Sequence, residues 1–284
     1  MAAPKLVRGT CRGVTLLGDS TCPGGVTFAF TERSGGVSEG SFSSLNLGSM
    51  CGDDADAVAE NRLRMLDALG IRHLSDRLIC PNQVHGDNVA VISRSDLSPL
   101  EAQRYVRKGV DAIICLERDV PVLLCAADCV LVVLVSEGAF AVIHSGWRGS
   151  LARIAGKTLR KLVEVSGCEA AKVRAYVGPH IGASDYEVSF ELASRFLAEF
   201  GKAVVSGKRN LDLGAAVVAA LVDEGMEQSS ICQVTESTAS HTDRFFSYRK
   251  ANGVCGRHGA VACMPTPPKD VEAGVSQKLG EWDS

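Results

Sequence analysis

Four apolar, β-branched runs follow one another at 111–115, 121–126, 130–135 and 140–144, with only turns between them. Runs of this length bounded by turn residues read as strands. Strands that succeed one another without a helix do not fit a strict βαβ alternation. Further strands are expected at 26–31, 88–93, 172–177, 231–236 and 260–264. Helical spacing of apolar residues marks 54–69, 150–165, 187–200 and 212–222, with Gly70, Gly167, Gly201 and Gly225 as stops. The pattern therefore predicts a single domain of mixed α/β architecture. Residues 1–25, rich in Gly, Thr and Pro, are expected to be loosely ordered, 26–264 to form the domain, and 265–284 to be a flexible tail.

Within this apolar stretch, two residues do not belong to a plain core. Asp128 places a charge between two strand-like runs, where a carboxylate is costly unless paired or used. Cys129 follows it. One reading is a tight bend whose Asp caps backbone amides; the other is a thiolate ligand or nucleophile beside a carboxylate. His144 closes the next apolar run and is followed by Ser145-Gly146-Trp147-Arg148-Gly149, a Gly-containing turn into a helix. His85 lies in the polar loop Asn82-Gln83-Val84-His85-Gly86-Asp87. Two imidazoles and a thiolate make a good tetrahedral set for zinc with a fourth position open. The three lie on distant loops, so spacing alone leaves open whether they meet.

Composition narrows the partners. The formal net charge is −3 and no basic-aromatic interleaving occurs, so no nucleic-acid surface is expected. The longest apolar stretch, 120–135, is interrupted by Asp128, and the N-terminal residues lack the apolar block of a signal peptide. No membrane association and a cytoplasmic location are expected, with the protein a monomer or homodimer. The cysteines number 11, an odd count without a CxxC pair, which argues against a disulfide framework.

Taken in order, the motifs are informative: Arg33-Ser34-Gly35-Gly36-Val37-Ser38, Ser44-Leu45-Asn46-Leu47-Gly48, Gly52-Asp53-Asp54 with Glu60-Asn61-Arg62, Gln83-Val84-His85-Gly86, Ala127-Asp128-Cys129, the segment 144–149, Gly178-Pro179-His180-Ile181-Gly182 and Phe245-Phe246-Ser247-Tyr248-Arg249. Their order resembles the laccase-domain family, for which the multicopper polyphenol oxidase label is a misnomer. Its members include purine nucleoside phosphorylases and a peptidoglycan editing factor. The resemblance spans about residues 26–259. It implies a compact α/β (α+β) fold, a single domain of mixed β-sheets flanked by helices and related to the cysteine-histidine hydrolases, over the 26–264 catalytic domain.

The resemblance also implies Zn²⁺ on His85, Cys129 and His144. It implies phosphorolysis of adenosine, inosine, guanosine and methylthioadenosine, and deamination of adenosine. Purine nucleosides and phosphate would then be the partners. Arg33, Arg62 and Arg148 are candidates to hold the phosphate, because a guanidinium fork matches its oxygens. Asn46 is a candidate to hold the ribose or phosphate, and His180 to line the pocket. Asp128 or His180 is the candidate proton shuttle beside the catalytic His85, Cys129 and His144. The chain departs from the family pattern at Ala126, Ser145 and the stretch Val234-Thr235-Glu236-Ser237. These departures bear on substrate preference and leave the ligand set intact.

Two other chemistries use the same residues or the same name. A metal-free Cys-His hydrolase would take Cys129 as nucleophile and His144 as base, as an editing factor acting on a peptidoglycan precursor. A copper polyphenol oxidase would need paired histidines, and the six here include no HxH.

Overall fold

The computed structural model describes residues 3–93 and 98–267. Its helices are α1 (Ala55–Ala68), α2 (Pro99–Val106), α3 (Trp147–Leu151), α4 (Ile154–Ser166), α5 (Phe190–Phe200) and α6 (Leu213–Asp223). Its strands are β1 (Val7–Cys11), β2 (Val14–Gly18), β3 (Thr27–Thr31), β4 (Val89–Ile92), β5 (Ala112–Cys115), β6 (Val122–Ala126), β7 (Val130–Ser136), β8 (Ala139–Ser145), β9 (Arg174–Val177), β10 (Val205–Ser206), β11 (Asn210–Leu211), β12 (Ile231–Gln233) and β13 (His258–Cys263).

A five-stranded sheet runs β1-β2-β3-β13-β6, and a six-stranded sheet runs β12-β9-β7-β8-β5-β4. The first is antiparallel throughout. The second is mixed, with parallel pairs only at its two edges, β12 with β9 and β4 with β5. This is the mixed α/β architecture that the sequence predicts.

The two sheets pack face to face, and the period of two explains how. Leu131, Val133 and Val135 of β7 join Phe28, Phe30, Leu124, Ala260 and Ala262 of the other sheet in one core. The alternate residues Val130, Val132 and Leu134 point to a second core with Ile154, Leu159, Leu162, Phe196, Val217 and Leu221 of α4, α5 and α6. On the outer face of the five-stranded sheet, Val14, Leu16, Ala29 and Val261 pack under Met65 and Leu66 of α1. Helices thus cover both outer faces. Every residue of β7 and β8 is buried, which is why these runs are apolar without alternation.

Two expectations need correction. Residues 1–25 are not loosely ordered throughout, because Val7–Cys11 and Val14–Gly18 form a hairpin that extends the five-stranded sheet. Its two-residue turn, Arg12-Gly13, takes positive φ at both positions, the geometry that matches strand twist. Val14 and Leu16 are fully buried, and Arg8 donates to the buried Glu32 carboxylate at 2.7 and 2.9 Å. The helix expected at 150–165 is two helices, broken at Arg153, whose φ is +60°. The Arg153 side chain is drawn to Glu199 at 3.0 Å and to Asp223, and it stacks on Phe200. A further helix, α2, was not foreseen, although Ser98 and Glu101 form a capping box at its start. The expected flexible tail falls mostly on 268–284, outside the described residues.

Candidate metal centre

The site forms where the chain leaves one sheet for the other. β6 ends the five-stranded sheet and β7 lies inside the six-stranded one, so Ala127-Asp128-Cys129 is the crossing. Asp128 makes the bend at φ +90°, a conformation that costs a non-glycine residue energy and must be held by its surroundings. Its carboxylate is the hold. One oxygen accepts from the Thr238 hydroxyl at 2.7 Å, the other from the Arg249 backbone amide at 2.7 Å, and its own carbonyl accepts from the Ile181 amide at 3.0 Å. The charge inside the core is therefore spent on pinning two loops around Cys129, while the bend's own carbonyl pins a third.

His144 reaches the same point from β8, where it pairs across from Leu131 of β7. It is 2% exposed, and its Nδ1 faces the Asp111 carboxylate at 2.9 Å. Asp111, fully buried at the head of β5, also accepts from the backbone amides of Val84, His85 and Gly86 at 3.3, 3.0 and 2.7 Å. One carboxylate thus fixes the His144 ring and the loop that carries His85. Gln83 ties that loop to β6, donating to the Cys125 carbonyl at 2.7 Å and accepting from its amide at 2.9 Å. His85 itself sits at φ +58° and is exposed.

The result is a cluster. The ligand atoms of His85, Cys129 and His144 all lie within 4.8 Å of one another, and the two imidazole rings are perpendicular with centroids 4.8 Å apart. The residues fit a metal ion on three grounds. The donors are two nitrogens and a sulfur. Asp111 holds His144 Nδ1 and so directs Nε2 toward the cluster. Gly146 leaves the space open, since a Cβ there would lie 3.1 Å from both Cys129 Sγ and His85 Cδ2. Gly146→Ala is accordingly expected to weaken metal binding about tenfold by shifting two ligands at once, measured by chelator competition. Unchanged affinity would mean that the cluster yields freely.

Electrostatics agree with the geometry. Burial alone would push the Cys129 thiol up, but His144 and His85 outweigh it and bring it down to about 6. Burial would lower His144, yet the Cys129 charge and Asp111 raise it. The metal-free pair is thus a thiolate beside an imidazolium. In chelator-stripped protein, Cys129 should alkylate rapidly at about pH 7 and slow only as pH falls through about 6, the folded value. Mass-spectrometric mapping across pH checks this; a rate that rises only above about pH 8 would mean an ordinary thiol. Burial pushes Cys115 and Cys125 up to about 12, so these should stay unmodified.

The other sequence candidates are placed differently. Asn46 is fully buried, with Nδ2 on Gly48 O and Asp53 Oδ2 and Oδ1 receiving the Gly48 and Arg257 amides, so it braces its own loop. Arg62 donates Nε and Nη2 to the Leu47 carbonyl. Arg33 donates to the Ser43 and Thr242 carbonyls and stacks over Phe246 at 4.5 Å. His180 is buried with Nδ1 on Gly178 O, and a Cβ on Gly214 would meet its Nε2 at 2.4 Å, so the ring packs against the start of α6. Arg148 is exposed and lies over Trp147 at 4.5 Å. Sequence reasoning missed Asp111, whose signal was the same as that of Asp128: a carboxylate at the edge of an apolar run. It also passed over Tyr186, which stacks under Arg249 at 5.0 Å; burial, then the Cys129 charge, pushes its phenol up to about 12.

A family model described as multi-copper polyphenol oxidoreductase laccase matches residues 27–265. The chain is 31% identical over 241 residues to a purine nucleoside phosphorylase of Corynebacterium glutamicum, covering 83% of this chain and 93% of that protein. It is 32% identical over 240 residues to adenosine deaminase RL5 from an unknown prokaryotic organism, covering 81% and 90%. Its fold is similar to the crystal structure of YlmD from Geobacillus stearothermophilus, with a TM-score of 0.80 at 27% identity over 90% of this chain and 98% of that one. Among the described residues no helix is long and apolar enough to cross a membrane.

Proposed function

Because this chain belongs to the multi-copper polyphenol oxidoreductase laccase family, we propose that it is a zinc-dependent purine nucleoside phosphorylase with adenosine deaminase activity. Its substrates on this reading are adenosine, inosine, guanosine and methylthioadenosine with phosphate, in the cytoplasm. The observation that carries the reading is the convergence of His85, Cys129 and His144 on one point. The names of the relatives supply the nucleoside chemistry.

Zinc held by these residues would supply Lewis-acid activation of water and polarisation of the base. This chain's own residues do the rest. Asp111 fixes the orientation of His144, and Asp128 holds the Cys129 bend, so both are positioning residues. Asn46, Arg62 and His180 shape the loops around the site from behind. Arginine donors take the phosphate. The exposed side of His85 is the open approach for a nucleoside.

The experiment is a nucleoside panel on metal-loaded protein with and without phosphate. Free purine that forms only with phosphate, and inosine formed from adenosine without it, is the expected result. Absence of both products from every nucleoside would overturn the reading.

A second reading has one observation in its favour. Asp111, His144 and Cys129 stand in line as orienting acid, base and nucleophile, the order of a Cys-His hydrolase. A peptidoglycan precursor would be its substrate. Chelation separates the two, because stripping the metal would abolish nucleoside turnover and leave a thiol hydrolase active.

A further inference from the structure

Donor accounting separates the three arginines proposed for phosphate. Arg33 commits Nε and both terminal nitrogens to backbone carbonyls, and Arg62 commits two nitrogens to Leu47. Arg148 commits none. Its guanidinium rests on the Trp147 ring at 4.5 Å and has no hydrogen bond or ion pair among the described residues. Across a cleft of about 410 Å³ stands Arg195 of α5, in the same state. The remaining lining is Trp147, Leu151 and Ala152, with no carboxylate. Of the two acids one turn from Arg195 on α5, Glu199 is taken by Arg153 at 3.0 Å, and Glu191 makes no ion pair with Arg195 and does not line the cleft.

The helix α3, which supplies most of the cleft lining, starts beside the metal centre. Gly146, where an added Cβ would lie 3.1 Å from Cys129 Sγ and His85 Cδ2, is followed directly by Trp147, about 3.8 Å away along the chain. The α3 residues that line the cleft rise about 1.5 Å each, so their backbones lie within roughly 10 Å of Gly146. Two guanidiniums with all donors free offer paired N–H groups of the geometry that phosphate oxygens accept. The Trp147 face restrains one of them, which lowers the ordering cost of binding.

On the zinc nucleoside reading above, we propose that the Arg148–Arg195 cleft is a phosphoryl-binding subsite beside the metal centre. It takes either orthophosphate as co-substrate or the phosphoryl end of a nucleotide. Arg195 is a binding residue that no motif of the sequence marked.

Calorimetric titration of metal-free wild type and Arg195→Ala tests it, with inorganic phosphate, adenosine 5′-monophosphate and adenosine as separate ligands. Arg195→Ala should weaken at least one phosphorylated ligand about tenfold, and Arg195→Lys should recover part of the loss. Loss confined to orthophosphate identifies the co-substrate; loss confined to the monophosphate identifies a nucleotide end. Arg72→Ala, which removes an exposed arginine beside α1 and the five-stranded sheet, should change neither affinity. Equal affinities of wild type and Arg195→Ala for both phosphorylated ligands, or no binding of either by wild type, would overturn the proposal. Since no turnover is needed, this outcome is separable from the nucleoside panel, where failure of the broader reading would appear as no product from wild type.

Discussion

Replacement of Cys129 by Ser is expected to leave a folded protein that holds no stoichiometric zinc and turns over no nucleoside. The sulfur is the one soft, anionic donor in the cluster, and the two imidazoles alone are a weak neutral pair. Loss of zinc affinity should exceed about a hundredfold, and turnover should fall by about a thousandfold or more, since water activation depends on the bound ion. Serine is nearly isosteric, and the bend itself is held by hydrogen bonds to Asp128 from Thr238, Arg249 and Ile181 that do not involve the sulfur. The melting temperature of the metal-free variant should therefore stay close to that of metal-free wild type. Metal analysis after gel filtration, with the nucleoside panel, reads both effects. Full turnover by a zinc-free Cys129→Ser protein would remove the metal from the account.

The second large effect belongs to Asp111, which touches no substrate. Its carboxylate serves four donors at once, three backbone amides of the His85 loop and His144 Nδ1. Burial would raise its pKa, but hydrogen bonding and charge from His144, with the loop amides, hold it below the usual carboxylate range. Asp111→Asn keeps the shape but replaces one acceptor oxygen by a donor, so at least one amide or the imidazole faces an N–H. Zinc affinity should drop about ten- to a hundredfold as His144 and His85 lose their fixed aim. Asp111→Ala strands all four donors in the interior and should cost about 3–5 kcal/mol of stability as well. Denaturant unfolding and chelator competition on the two variants separate aim from stability. Because the folded pKa is depressed, the Asp111 contribution is present above the unfolded carboxylate value and is lost as pH falls through the lower folded one. An Asp111→Asn protein that binds zinc like wild type would show that the ligands are held by other means.

Much of the fold was legible because local pattern and tertiary burial agree. The runs at 130–135 and 140–144 became β7 and β8, long strands buried at every residue, and the helix stops at Gly70, Gly167 and Gly201 fell where the structure ends α1, α4 and α5. The hairpin at Val7–Gly18 was not legible, since its order comes from docking on β3 and from Glu32, far along the chain. The break at Arg153 depends likewise on Glu199 and Asp223, partners invisible to local periodicity.

The site divides the same way. His85, Cys129 and His144 were found through chemistry and motif order, and the structure brings them together. Asn46 and His180 were marked by motif as well, yet their side chains hydrogen-bond to the backbone of nearby loops. A motif records that a residue matters without saying whether it faces the ligand or the scaffold. Arg195 carried no motif at all, because its role depends on the α3–α5 packing that places it across from Arg148.

The most direct measurement is X-ray absorption at the zinc edge of protein loaded with one equivalent of the metal. A shell of one sulfur at about 2.3 Å with two imidazole nitrogens and one further light atom at about 2.0–2.1 Å is the result this arrangement predicts. A shell without sulfur, or with several, would place the ion elsewhere and contradict the assignment of His85, Cys129 and His144 as its ligands.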